Sequence, residues 1–322
     1  MSQDVFVVAE HLQGKIDDVT YELLGKAREL AGQSGGHVVA VLMGSGIQNQ
    51  AGSLGAADKV LYMDNAALEH FNPESYARAL SHILEQNQPR LTLIPNTSMG
   101  MDLAAAVSVK NNLPLVAYAT DVQIDNGQVV ATSQLYGGKI NVESVLEGDS
   151  SVVSVLAGSF AVDAGKQDGS PEVETVAAPD GLDQTRVRFK NLIQPEGGDV
   201  DITQQDILVS VGRGIQSEDN LPMVEELAEA LGGALASSRP IVDNKWLPKT
   251  RQVGKSGLKV KPKLYFAVGI SGAPEHIEGM KDAELIIAIN TDPEAPIFEV
   301  AHFGVTEDLF DVVPALTEKL KG

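Results

Sequence analysis

Along the first half of the chain, short β-rich runs alternate with stretches whose apolar residues recur at helical spacing. Val5-Phe6-Val7-Val8 reads as a strand. It is followed by a helix with Leu23, Leu24, Ala27 and Leu30 on one face, and then by a second strand over residues 38–42. Residues 59–62, 91–95 and 152–156 extend the series. The Asn126-Gly127 pair predicts a hairpin turn between Val122-Gln123-Ile124 and Val129-Val130. Strands alternating with helices imply an α/β sandwich.

The pattern then breaks and restarts. Residues 164–179 are rich in Gly, Asp, Ser and Pro, and a second polar stretch, Pro195-Glu196-Gly197-Gly198-Asp199, follows an alternating segment over 187–192. Both polar stretches read as linkers. The segment between them is expected to stay with the first domain as an edge strand, which puts a boundary near residue 195. Two domains are therefore expected, 1–194 and 195–322. In the second, an apolar run over 206–211 ends in Gly212-Arg213-Gly214, and a helix follows with Leu221, Val224, Leu227 and Leu231 on one face. Gly232-Gly233 stops that helix. Residues 234–237, 263–268 and 284–289 are further strands, with helical segments from about Pro274 and Thr306. This predicts a smaller α/β domain on a parallel sheet.

Composition narrows the function. Cysteine is absent, which excludes disulfides, iron–sulfur ligation, zinc thiolates and a cysteine nucleophile, so redox chemistry requires a bound cofactor. A formal charge of -20 argues against nucleic acid or an anionic membrane surface as the primary partner. No apolar run approaches the ~20 residues of a membrane span. The amino terminus has neither the basic lead nor the apolar stretch of a secretion signal, so a cytoplasmic protein without membrane insertion is expected.

Three glycine motifs bear on nucleotide binding. The strand at 264–268 runs into Gly269-Ile270-Ser271-Gly272-Ala273 and then a helix carrying His276 and Met280. Such a unit reads either as an anion site at a helix start or as an ordinary βα turn. Gly212-Arg213-Gly214 begins a dinucleotide fingerprint, but Ser217 occupies the place of the third glycine. Gly254-Lys255-Ser256 imitates the end of a P-loop, but Lys249 stands where the first glycine belongs. The loop around Ser238, Arg239, Pro240 and Trp246 reads either as a guanidinium presented to a planar cofactor or as a surface loop whose Trp plugs the domain. His276, near the glycine turn, reads as a structural or a functional histidine.

Taken together these segments resemble the alpha subunit of electron-transferring flavoproteins. The likeness is carried by Val211-Gly212-Arg213-Gly214-Ile215, Ser237-Ser238-Arg239-Pro240, Arg251-Gln252-Val253-Gly254 with Ser256-Gly257, and Lys263-Leu264-Tyr265. It continues through Val268-Gly269-Ile270-Ser271-Gly272-Ala273 with His276, Gly279-Met280-Lys281-Asp282, Ala288-Ile289-Asn290, Asp292-Pro293-Glu294-Ala295-Pro296-Ile297-Phe298 and Asp308-Leu309-Phe310. The first half resembles the family more loosely, chiefly in Val8-Ala9-Glu10-His11.

The resemblance implies a Rossmann-like FAD-binding domain and a heterodimer with a smaller beta subunit that holds AMP or a second FAD and contacts the amino-terminal domain. It implies an electron carrier and not an enzyme, with dehydrogenase donors and a downstream acceptor such as a membrane quinone oxidoreductase. It places Arg239 against the isoalloxazine, the Ser256 hydroxyl near flavin N5, and His276 near the N1–C2=O edge. Arg213, Ser238, Gln252, Val253, Gly254, Gly269, Ile270, Ser271, Gly272 and Ala273 would line the ring, ribityl chain and pyrophosphate, and Asn290, Asp308 and Leu309 the adenosine end. Reduction concentrates negative charge near N1–C2=O, where a guanidinium or imidazolium raises the potential. Lys255 with Ser256 departs from the Gln-Thr of many family members; Lys255 either brings a charge to the flavin or points to solvent. Two other classes remain open at this level: a flavin- or nicotinamide-dependent oxidoreductase with its own substrate, and a nucleotide-sensing module.

Overall fold

Strand β1 (Val5–Val8) is apolar throughout because both of its faces are covered. Val5 and Val7 share a hydrophobic cluster with Leu23, Leu24, Ala27 and Leu30 of helix α1 (Asp18–Ser34). Phe6 and Val8 belong to the opposite cluster, with Tyr76, Leu80 and Ile83 of α2 (Pro73–Asn87) and Leu103 and Val107 of α3 (Ser98–Asn111). The helix ends are set locally. The Asp17 side chain accepts the Val19 N–H at 3.1 Å, Gly35 closes α1 at φ +74°, and Asn72 and Thr97 cap α2 and α3.

The computed structural model describes residues 2–136, 138–192 and 200–322, and the chain divides into two units, Met1–Asn191 and Leu192–Gly322. The boundary expected near residue 195 lies outside the described residues, as does the Pro195-Glu196-Gly197-Gly198-Asp199 stretch.

In the first unit β1 is joined by β2 (Val38–Gly44), β3 (Lys59–Asp64), β4 (Leu91–Pro95), β5 (Leu115–Asp125), β6 (Gln128–Leu135), β7 (Ile140–Leu146), β8 (Ser151–Val155) and β9 (Glu172–Thr175). Their order in the sheet is β9-β3-β2-β1-β4-β8-β5-β6-β7. The pairs from β9 to β5 are parallel, and β5-β6-β7 form an antiparallel meander. Its first turn is Asn126-Gly127, both at positive φ (47° and 79°), as the sequence predicts.

Two expectations are corrected here. Residues 164–179 are not a simple linker, because they contain β9, which pairs in parallel with β3 at the sheet edge. All four residues of β9 are exposed, so no apolar pattern marks it; backbone bonds and the Lys59–Glu174 ion pair hold it. Conversely, residues 187–192 form no strand. Val187 and Phe189 are exposed, the Val187 carbonyl accepts from Asn72 Nδ2 at 2.8 Å, and the Phe189 ring stacks on His70 at 3.8 Å. Side-chain contacts replace the ladder there.

The second unit is built on β10 (Ile207–Val211), β11 (Ala234–Ser237), β12 (Leu264–Val268), β13 (Leu285–Ile289) and β14 (Phe303–Val305), all parallel. The order β11-β10-β12-β13-β14 is 2-1-3-4-5 counted within the unit, a doubly wound sheet. Leu208, Tyr265, Ala267 and Ile286 fill one face. Val209, Val211, Phe266 and Val268 fill the other, beneath Val224 and Leu227 of α4 (Leu221–Ala230) and Val313 of α7 (Leu309–Lys321). The two remaining helices are short: α5 (Arg239–Asp243) follows β11, and α6 (Pro274–Ile277) follows β12. The helix expected from Pro274 is thus a single turn, too short for a large end dipole. No helix of the described residues is long and apolar enough to cross a membrane.

Candidate cofactor-binding site

In an open parallel sheet the order reverses once, and the loops leaving the two strands at that point diverge to opposite faces, opening a crevice at their carboxyl ends. Here the reversal falls between β10 and β12. The loop after β10 and the loop after β12 are tied together: Gly212 N–H donates to the Val268 carbonyl at 2.8 Å, and Gly214 N–H to the Gly269 carbonyl at 3.0 Å. Gly269 has φ +63°, and a Cβ there would lie 2.9 Å from Gly214 Cα, so glycine is required by both torsion and space.

Two further segments close in from β11. Ser238 N–H donates to the Val211 carbonyl at 3.0 Å, which starts α5 beside the crevice and sets Arg239 on its first turn. The loop after it returns along the strand, with Val253 N–H donating to the Ser237 carbonyl at 2.9 Å and Lys255 N–H to the Glu275 carbonyl at 2.7 Å. On the far side, Asn290 Nδ2 donates to the Ile270 carbonyl at 2.9 Å.

The result is a cleft of about 830 Å³. Its wall carries Arg213, Ser238, Arg239, Gln252, Val253, Gly254, Lys255, Ser256, Gly269, Ile270, Ser271, Ala273, His276 and Asn290, all expected from the sequence. Gly214, Pro240 and Glu275 also line it and are not among the residues the sequence points to. The first two stand inside the quoted motifs, whereas nothing in the sequence marks Glu275. Three expected residues are not on the wall. Gly272 is buried against the Ile297 backbone. Asp308 caps α7, its carboxylate accepting the Phe310 N–H at 2.9 Å. Leu309 is in the core, its methyl carbon 2.8 Å from where a Gly269 Cβ would be.

The side chains differ in what they can offer. Arg239 is exposed, with Nε 3.3 Å from Asp243 Oδ2. Gln252 is buried and its amide donates to Ser256 Oγ at 2.9 Å, which leaves the Ser256 hydroxyl proton free to donate elsewhere. Lys255 Nζ lies 3.8 Å from Glu278 Oε2, so part of its charge is directed to an acidic neighbour. His276 is buried; desolvation pushes its pKa down to about 4, only partly offset by the Val253 backbone. The imidazole is therefore neutral near pH 7, so the fixed positive charge on this wall comes from Arg213, Arg239 and Lys255.

A cleft at the switch point, floored by glycines and edged with guanidinium groups in a chain of charge -20, fits an anionic dinucleotide. Sequence comparison decides which. Residues 5–181 match the electron transfer flavoprotein domain and residues 201–281 the electron transfer flavoprotein FAD-binding domain. The chain belongs to the electron transfer flavoprotein alpha-subunit family. It is 33% identical to the electron transfer flavoprotein subunit alpha of Bacillus subtilis, over 100% of this chain and 98% of that one. It is 36% identical to that of Thermoanaerobacterium thermosaccharolyticum, over 99% and 98%. It is also 35% identical to the lactate dehydrogenase (NAD(+),ferredoxin) subunit LctC of Acetobacterium woodii, over 99% of this chain and 77% of that protein. The alpha-subunit FAD-binding model ends at residue 281, so Asn290, Asp308 and Leu309 lie beyond the matched segment.

Proposed function

We propose that this chain is the FAD-carrying half of a heterodimer that relays electrons from dehydrogenases to a downstream acceptor such as a quinone oxidoreductase, without a substrate of its own. The observation that carries it is the convergence of Arg239, Ser256 and His276 on one cleft of the FAD-binding unit. Bound FAD supplies reversible electron uptake; the protein supplies binding and tuning. Arg239 favours negative charge on the ring, the Ser256 hydroxyl donates to a ring nitrogen, and His276 offers a neutral hydrogen-bonding edge. Arg213 and the turn from Gly269 to Ala273 face the pyrophosphate and Asn290 the adenosine end, where Asp308 and Leu309 bring the start of α7, Leu309 through its packing on Gly269.

A beta subunit carrying AMP or a second FAD is the partner this reading requires, docking on the first unit. On this reading the domains are 1–194 and 195–322, and the protein works in the cytoplasm. The name of the Acetobacterium woodii relative is that of an enzyme subunit, which gives the relay a second setting, inside a dehydrogenase complex. Both settings are tested on the purified heterodimer. Yellow protein with bound FAD, reduced only when a dehydrogenase partner is added, supports the carrier. Turnover of a small substrate by the heterodimer alone contradicts it, and a colourless protein that takes up no added FAD contradicts the cofactor assignment.

A further inference from the structure

One loop of the cleft wall is seated from behind by a residue that is not itself on the wall. Gly279, in the turn after α6, is buried and does not line the cleft. A Cβ there would lie 2.5 Å from both the Cα and the nitrogen of Gly254, so the two backbones meet with no room for a side chain between them. Gly279 is not at positive φ, so an alanine would meet no left-handed torsion, and space alone demands the glycine. Opposite it, Gly254 combines φ +134° with a Cβ position only 2.8 Å from the Glu275 carbonyl oxygen.

Two hydrogen bonds flank this contact. Lys255 N–H donates to the Glu275 carbonyl at 2.7 Å, and Val260 N–H to the Gly279 carbonyl at 2.8 Å. Between them the loop closes on itself, Gly257 N–H donating to the Gly254 carbonyl at 2.9 Å and Gly254 N–H to the Leu258 carbonyl at 3.1 Å, so a push at its base moves it as one piece. Its tip carries Lys255 and Ser256 to the cleft. A methyl at position 279 must open the contact by about 1 Å to reach the ~3.5 Å that carbon atoms ordinarily keep. Burial decides which side yields. Met280, next to Gly279, is fully buried in the core that also anchors Val253 and Val260, whereas Lys255 and Ser256 are exposed, so it is the tip that moves. A hydroxyl carried about 1 Å beyond bonding distance no longer makes a hydrogen bond.

We propose that Gly279 is a positioning residue for the flavin: its bare Cα lets the loop of Gly254, Lys255 and Ser256 seat at the depth from which the Ser256 hydroxyl reaches the ring. The proposal rests on the FAD reading above. Gly279 touches no cofactor and acts only through the loop in front of it.

The test is a double-mutant cycle on the heterodimer: wild type, Gly279→Ala, Ser256→Ala and the two together, with FAD affinity and flavin potential measured in each. Gly279→Ala is expected to weaken FAD about fivefold, as loss of one neutral hydrogen bond does, and to shift the potential in the same direction as Ser256→Ala. In the double variant the second substitution is expected to add less than about twofold, because both remove the same bond. A glycine needed only for packing predicts a lower melting temperature with the potential unmoved, and that outcome in a folded Gly279→Ala overturns the proposal. Losses that multiply to about 25-fold overturn it too, since the two sites then act independently. So does a Ser256→Ala variant indistinguishable from wild type, although the FAD reading survives it. Where Gly279→Ala does not fold, amide hydrogen exchange of the wild-type heterodimer decides. Slow exchange at Lys255 and Val260 is expected; fast exchange at both shows a loop that is not seated and overturns the proposal. A wild type that takes up no FAD strikes the cofactor reading instead, and the same exchange still reads the seating of the loop.

Discussion

The side-chain amide of buried Gln252 donates to Ser256 Oγ at 2.9 Å and so fixes which way the Ser256 hydroxyl turns its own proton. A hydroxyl oriented by one neighbour is a better donor to a second, because little rotamer freedom is left to lose. Ser256→Ala is expected to keep FAD bound but weaken it by about 1 kcal/mol, near fivefold, the usual worth of one neutral hydrogen bond. Titration of the cofactor-free heterodimer with FAD measures this; unchanged affinity would take Ser256 off the ring.

Arg239 and Asp243 oppose each other in effect. Arg239→Ala removes a positive charge from the cleft and is expected to lower the potential of the first reduction step. Asp243→Asn frees the guanidinium from its 3.3 Å ion pair and is expected to raise that potential slightly, since the pair is exposed and screened. Redox titration of both variants checks the two signs.

Asp308→Ala removes the cap of α7. A loss of about 1 kcal/mol of stability is expected in the cofactor-free chain, read from the denaturation midpoint. A further fall in FAD affinity beyond that loss would support the adenosine contact assigned to Asp308 and Leu309.

How much of this could be read in advance differs between the two units' parts. Strands such as Val5–Val8 and Leu264–Val268 are buried on both faces, so their unbroken apolar runs are plain in sequence. Glu172–Thr175 is an exposed edge strand held by backbone bonds, and the alternating residues 187–192 lie on the surface without a partner strand, so hydropathy misleads at both. The cleft was legible because its loops carry glycines and cations in ordered motifs. Glu275 was not, since what brings it to the wall is its carbonyl bond to Lys255, a tertiary contact. The neutral state of His276 was not legible either, because it follows from burial and not from residue type.

Gly269→Ala is expected to disrupt the cleft. The torsion is left-handed, and the new methyl would sit 2.9 Å from Gly214 Cα and 2.8 Å from Leu309 Cδ2. A cost on the order of 1–3 kcal/mol is expected, with loss of FAD from the purified protein. Thermal melts and the flavin absorbance report both.

The first unit carries a pH dependence of its own. Burial pushes the Glu10 pKa up to about 7, with Asp17 adding to it, while Thr97 Oγ1, 2.6 Å from Glu10 Oε2, pulls it down. The folded state therefore binds a proton more tightly than the unfolded chain. The corresponding stability is present below pH 4.5 and is lost as pH rises through about 7. Glu10→Gln keeps an acceptor for Thr97 and removes the half-buried charge. It is expected to raise the melting temperature at pH 8 and to leave it nearly unchanged at pH 4, as paired melts will show.

The most direct test is a crystal structure of the heterodimer with FAD bound. The isoalloxazine is expected in the cleft after β10 and β12, with the Arg239 guanidinium at its face, the Ser256 hydroxyl within hydrogen-bonding distance of N5, and His276 at the N1–C2=O edge. Density for the flavin at any other place on the chain, with this cleft empty, would contradict the account.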